Sequence, residues 1–321
     1  MEIFQILCND ILPLLFFMGM GWLLDSRFKL DLNTYRKIVI WIVLPSFIFY
    51  SMAEYRPEPT AVFLIPAAVL LLLLLHLFSG LTARLLRLSP ARRAVYQAAA
   101  SYSNAGNIGL ALIVFIYSHA PYDAAGGLPY LADARGTVIL LLILMNIAVN
   151  LFGACQIRAG SVSVGQFLSY LVRMPALYAV IAGLGVQYAA LPLQQTFLWP
   201  VLHHFAGAFI VLVTVIAGAE LHRNRMQRPQ AAVLAAAFHK LLLSPLLAAG
   251  IIAAAGCFTP TEAQVFFIAA AIPSSFTVVL YAAEYRNHAD FAAQAVFLST
   301  VFGIFTMTAA IYAARLLYPL Q

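Results

Sequence analysis

Residues 101–112 read SYSNAGNIGLAL, inside a stretch from 94 to 118 that is otherwise apolar enough for a membrane helix. Asn104, Gly106, Asn107 and Gly109 are costly there, because glycine weakens a helix and a buried amide needs a partner in hydrocarbon. Residues 270–285, AAIPSSFTVVLYAAEY, carry a second interruption. Pro273 removes a backbone donor and clashes with the preceding turn, and Ser274, Ser275 and Thr277 follow it. Tight packing through small residues and interhelical amide bonds would account for either segment alone. Two interruptions at corresponding places in two halves of a chain point instead to a ligand site near the membrane midplane.

Composition sets the frame for that pair. Of 321 residues, 63% are hydrophobic and 9% charged, whereas a soluble domain carries roughly 25% charged residues. At about 20 residues per span, the apolar runs predict an all-α integral membrane protein of ten helices. They lie near 3–24, 36–53, 60–83, 94–118, 136–157, 166–188, 197–221, 231–256, 263–284 and 291–317. That leaves no room for a separate soluble domain. The first run follows Glu2 and includes Asp10 rather than a basic leader, so it is expected to be a retained helix.

The net charge of +6 is explained by topology and calls for no nucleic-acid partner. Arg27, Lys29, Arg36 and Lys37 follow span one; Arg84, Arg87, Arg92 and Arg93 follow span three; Arg223, Arg225 and Arg228 follow span seven. The alternate connections hold only Arg56 and Arg135. The positive-inside rule then makes the odd-to-even connections cytoplasmic and puts both termini on the outer side. The longest outer connection, 119–135, contains Pro121, Gly126, Gly127 and Pro129 and reads as a turn-rich surface loop with enough length to cap a site.

An internal repeat emerges from short matches. LPLLFFMGMGWLL from Leu12 parallels MPALYAVIAGLGV from Met174, pairing Pro13 with Pro175 and Gly21 with Gly183. AAASYSN from Ala98 parallels AAAIPSS from Ala269. The order predicts two five-helix repeats, 1–160 and 161–321. An odd number of spans per repeat inverts their orientations.

The charge inventory bears on the ligand. Acidic residues lie at span ends or in connections, and neither interrupted helix has a carboxylate mid-span. Amides, hydroxyls and Lys240 suit a small anion better than a cation, which usually takes anionic oxygen ligands. Lys240, about two turns inside span eight, has three readings: snorkelling to the cytoplasmic interface, pairing with Glu220 at the end of span seven, or a role in anion attraction or coupling. His76, His203 and His204 are candidates for proton relay or for satisfied neutral side chains. Asn146 and Asn150, one turn apart in span five, either line the cavity or bond between helices. Cys8, Cys155 and Cys257 lack metal-type spacing, and no metal or cofactor site is expected. The phosphate-loop, zinc-protease and serine-hydrolase motifs are absent from the sequence, so an enzyme is not expected.

Several segments together resemble the auxin efflux carrier family, which includes plant auxin exporters and bacterial malonate and malate permeases. These are LPSFIF at 44–49, SNAGNIGLAL at 103–112, the span-six proline, HKLLLSP at 239–245, and AAIPSSFTVVLYAAEYRNHADF followed by FLST. The resemblance implies a fold similar to the bile acid sodium symporters, with broken spans four and nine crossing at the substrate site. Asn104 and Pro273 would sit at the crossover, with Gly106, Asn107, Ser274 and Ser275 nearby. Spans one, two, six and seven would form a scaffold, against which spans 3–5 and 8–10 move as an elevator. Ser103 and Ala111 stand where many members have proline, so the first break is expected to be the gentler. No span-nine carboxylate precedes Glu284, which disfavours sodium coupling of the symporter kind. The expected function is secondary transport of a small carboxylate-type anion, proton-coupled or uniport, in a bacterial inner membrane. Sodium-coupled symport and a non-transporting receptor are the alternatives. Partners are the anion and the bilayer, with a homodimer left open.

Overall fold

Several polar turns start a helix with a side-chain cap. Asp31 accepts from the backbone N–H groups of Asn33 and Thr34 ahead of α2, and Ser89 from that of Arg92 ahead of α4. Reciprocal capping boxes, Ser163 with Gln166 and Thr259 with Glu262, open α7 and α11. In this computed structural model, which describes residues 2–123, 127–223 and 230–320, the helices are α1 Glu2–Phe28, α2 Leu32–Glu54, α3 Pro59–Leu85, α4 Pro90–Ser101, α5 Ala105–Tyr117, α6 Leu131–Arg158, α7 Val164–Val172, α8 Pro175–Tyr188, α9 Leu198–Arg223, α10 Ala231–Ala255, α11 Pro260–Ala270, α12 Phe276–Glu284 and α13 Ala289–Leu317. Gly126, Arg225 and Arg228, used above for the outer loop and the charge asymmetry, lie outside the described residues.

Seven helices (α1, α2, α3, α6, α9, α10 and α13) are long and apolar enough to cross a membrane. The α7–α8 pair, bent by 60° before Pro175, would be an eighth. Large apolar side chains such as Phe16, Leu73, Leu77, Leu246 and Phe305 face outward, as a lipid-facing surface requires. The architecture is that of an all-helical, multi-pass membrane protein. The predicted spans 94–118 and 263–284 are each two helices, α4–α5 and α11–α12, separated by non-helical residues. The first break is the shorter, residues 102–104 against 271–275.

Proline shapes three of the long helices. Wide π-helical turns at Leu7–Ile11, Val39–Val43 and His239–Leu243 each end two residues before a proline, Pro13, Pro45 and Pro245. The ring lacks an N–H and collides with the carbonyl four residues back, and a widened turn accommodates both defects without ending the helix. A similar turn at Ala148–Gly153 has no proline; there the Asn150 amide donates to the Asn146 carbonyl (2.8 Å).

Glycine fixes the closest helix pair. A Cβ on Gly21 of α1 would lie 2.0 Å from the Val215 carbonyl oxygen of α9, and one on Gly218 of α9 would lie 1.8 Å from the Met18 carbonyl oxygen of α1. Gly183 of α8 meets α2 in the same way, at Met52 and the Phe49 carbonyl. Gly218→Ala is therefore expected to push α1 and α9 apart and to cost about 1–3 kcal/mol, read as a lower thermal-unfolding midpoint of purified protein. An unchanged midpoint would show that the helices separate freely.

Candidate functional site

The two breaks meet. The Asn104 N–H donates to the Pro273 carbonyl and the Ser275 N–H to the Tyr102 carbonyl, both at 2.8 Å, which makes Ser103 and Ser274 an isolated antiparallel bridge. Ser103 and Ser274 are also the sixth residues of the matching segments AAASYSN and AAAIPSS. The serines of the second break are held as well. The Ser274 N–H donates to Ser299 Oγ (3.1 Å), and Ser274 Oγ donates to the Ala99 carbonyl (2.6 Å) at the end of α4. Ser275 Oγ accepts from the Thr277 N–H (3.3 Å) and caps α12. Pro273 packs against Gly303 of α13.

Lys240 serves the end of α11. It is 1% exposed, and its Nζ donates to the Ala270 carbonyl (2.9 Å) beside Ser244 Oγ, which donates to the same oxygen (2.8 Å). A cation at a helix C-terminus meets the negative end of the dipole and the unpaired carbonyls. The snorkelling reading of Lys240 is thus replaced by a buried cap, and so is its pairing with Glu220. Lys240 lies within the wide turn His239–Leu243 that precedes Pro245.

Beside the crossing lies a cavity of ≈ 530 Å³. Asn104, Gly106 and Asn107 line it from the start of α5, Thr277, Tyr281 and Glu284 from α12, and Asn146 and Asn150 from α6. Arg36 and Trp41 of α2, Tyr170 and Arg173 of the bent pair, and Phe209 and Glu220 of α9 form the facing wall. The first N–H groups of a helix have no intrahelical partner, and the starts of α5 and α12 both border this space. Pro273, Ser274 and Ser275 are packed behind it. His76 is elsewhere: its Nδ1 donates to the Leu72 carbonyl (2.9 Å), leaving Nε2 toward the Tyr102 hydroxyl (3.4 Å). His203 lies against Tyr50, and His204 contacts the Pro200 carbonyl. None of the described residues of the 119–135 loop lines the cavity; Tyr122 anchors that loop to Gln264 of α11 (2.9 Å).

Glu220 is the least expected member. Placed by the sequence at a span end, it is 3% exposed, and its Oε1 accepts from Arg36 Nη2 (2.7 Å) and Nε (3.2 Å). Its Oε2 accepts from Asn107 Nδ2 (3.4 Å). Arg36 also lies 5.8 Å from the centre of the Phe276 ring. Arg36, read from the sequence only as a topology charge, and Arg173, which the sequence reading did not single out, both line the cavity. Tyr281 and Glu284 were readable: at four and seven residues after Thr277 they share its helix face, and Tyr281 donates to Asn150 Oδ1 (2.8 Å).

No group of three or more His, Cys, Asp or Glu with metal-binding geometry occurs among the described residues. What the geometry assembles is a membrane-embedded binding cavity with polar and charged walls. Residues 161–311 match the family described as membrane transport protein, a stretch that includes the second break, Lys240 and Glu220 but not Asn104. An uncharacterized transporter of Methanothermobacter thermautotrophicus is 23% identical over 281 residues, which is 86% of this chain and 87% of that protein. Both matches are to transporters, in agreement with the resemblance to the auxin efflux carriers, and they indicate a membrane transporter rather than an enzyme.

Lys240→Ala would leave the Ala270 carbonyl with Ser244 alone and open a void in the core. A loss of about 1–3 kcal/mol is expected, read as a fall in the thermal-unfolding midpoint. A midpoint equal to wild type would show that the ammonium does not hold the end of α11.

Proposed function

We propose that this protein is a secondary transporter carrying a small organic anion across a bacterial inner membrane by alternating access. The observation that carries the reading is the cavity at the meeting of two broken helices. Its walls present the amides of Asn104, Asn107, Asn146 and Asn150, the Thr277 hydroxyl, two arginines and the N-terminal ends of α5 and α12. Amide donors, guanidinium groups and positive half-helix ends together favour a carboxylate.

In this reading α4–α5, α7–α8 and α11–α12 each complete one crossing, giving ten in two inverted repeats, 1–160 and 161–321. The Ser103–Ser274 bridge supports the repeat, since it joins matching residues through reciprocal bonds. So does glycine packing: Gly21 sets α1 on α9, and its match Gly183 sets α8 on α2. The scaffold is α1, α2 and α7–α9, and the remaining helices move against it as an elevator. Both termini face outward, and the cavity faces the cytoplasm, because Arg36, Glu220 and Glu284 sit at the helix ends that lead into the basic connections. Coupling is to protons, or transport is uniport.

Asn104 is the residue to test, since its backbone holds the crossing while its side chain borders the cavity. Asn104→Ala is expected to leave folding intact. A lost amide contact to a charged ligand costs about 1.5–3 kcal/mol, so initial uptake of malonate or malate into proteoliposomes should fall by about tenfold or more. Unchanged uptake would assign the amide to packing. Saturable binding without counterflow would favour a receptor, and flux driven by a sodium gradient alone would favour sodium symport.

A further inference from the structure

Arg36 and Asn107 offer a carboxylate seat, and in this structure a carboxylate of the protein itself fills it. Both Glu220 oxygens are engaged, one by the guanidinium and the other by the amide. The seat borders the cavity, and Glu220 also lines a small void with Asn104, Phe276 and Thr300 at the crossing. It joins α2 and α9 on one wall to the start of α5 on the other.

We propose that Glu220 stands in for a substrate carboxylate in the empty transporter, so that loading the anion displaces Glu220 and adds one proton to it. The inference rests on the anion-transport reading and names its coupling site. Its physical basis is competition. With Glu220 ionised, the Arg36 charge is already matched, and a second carboxylate beside this one half-buried guanidinium brings like charges together. Taking a proton from cavity water onto Glu220 removes that repulsion. Arg36 and Asn107 then bind the substrate carboxylate, and Glu220 needs only neutral hydrogen bonding. Binding thus takes up one proton, on the scaffold, together with one substrate carboxylate.

Among the described residues, the ion pair with Glu220 is made by Arg36, and Arg223 lies one turn further along α9. From α1, Asp25 faces α9, but it is bonded to His222 Nδ1 (2.8 Å) and Arg223 Nη2 (2.6 Å). From α2, Lys37 is exposed, next to Arg36. Arg173 and Glu284 lie elsewhere on the cavity wall. Around the void at the crossing, α5 presents Ile108, and α13 presents Val296 and Thr300, all uncharged.

The test is proton uptake on binding. The purified full-length protein is titrated with malonate, malate or succinate in weakly buffered solution containing a pH indicator. Wild type is expected to take up about one proton per ligand bound, with affinity falling about tenfold per pH unit on the alkaline side. Glu220→Gln, which keeps the shape, is expected to bind about tenfold more tightly at alkaline pH and to take up no proton. Wild-type binding without proton uptake, a measurement that needs no variant, overturns the inference while leaving the transport reading intact. Unchanged proton uptake by folded Glu220→Gln does the same. Wild type that binds none of the three acids overturns both.

Discussion

Everything at the centre of this protein depends on two backbone hydrogen bonds, from Asn104 to the Pro273 carbonyl and from Ser275 to the Tyr102 carbonyl. Within a bilayer an interrupted helix is tolerated only if its freed N–H and C=O groups find partners, because no water is present to supply them. One break alone would leave orphans; two breaks brought together satisfy each other. The side groups complete the account: Ser274 closes the end of α4, Lys240 and Ser244 close the end of α11, and Ser275 caps α12. Three of the four half-helix ends thus have partners supplied by the protein, while the start of α5 borders the cavity.

The same economy explains the different packing on either side of the cavity. At Gly21 and Gly218, reciprocal glycines let the backbones of α1 and α9 touch. Such contacts favour a rigid pair. Across the cavity the connections are polar and few-atomed, such as the Asn107–Glu220 hydrogen bond and the Arg36–Phe276 contact. Those can be exchanged for contacts with a ligand at small net cost, as hydrogen bonds in proteins commonly are.

The helices and both breaks were legible because their signals are local. Apolar length marks a span, and Asn104, Gly106, Asn107 and Pro273 are each costly within one. The matching segments even paired Ser103 with Ser274, the residues that form the bridge. Long-range polar pairing was not legible. Arg36 and Glu220 are 184 positions apart, and a charge near a span end looks the same whether it faces water or turns inward. Lys240 was misread for a related reason: its partner, the Ala270 carbonyl, is 30 positions away and lies at the end of α11.

The ends of α2 show what alternation of access would demand under the proposed function. At its start, Arg36 borders the open cavity. At its far end the walls are already closed: Glu54 accepts from Arg135 of α6 at 2.6 Å, and the Tyr55 ring lies against Gly136, where a Cβ would fall 2.2 Å from the ring. Opening the far side means parting α6 from α2 there, while the α12 and α5 residues around Arg36 draw in. The Arg135–Glu54 pair is partly exposed, with side chains at 12% and 30%, so water can replace part of each partner as they separate. The Arg36–Glu220 pair is not so placed, since Glu220 is buried and has no such solvation to fall back on. Under the proposed exchange a ligand carboxylate takes over Arg36 while a proton neutralises Glu220, so binding and protonation together release inner contacts that water alone would not.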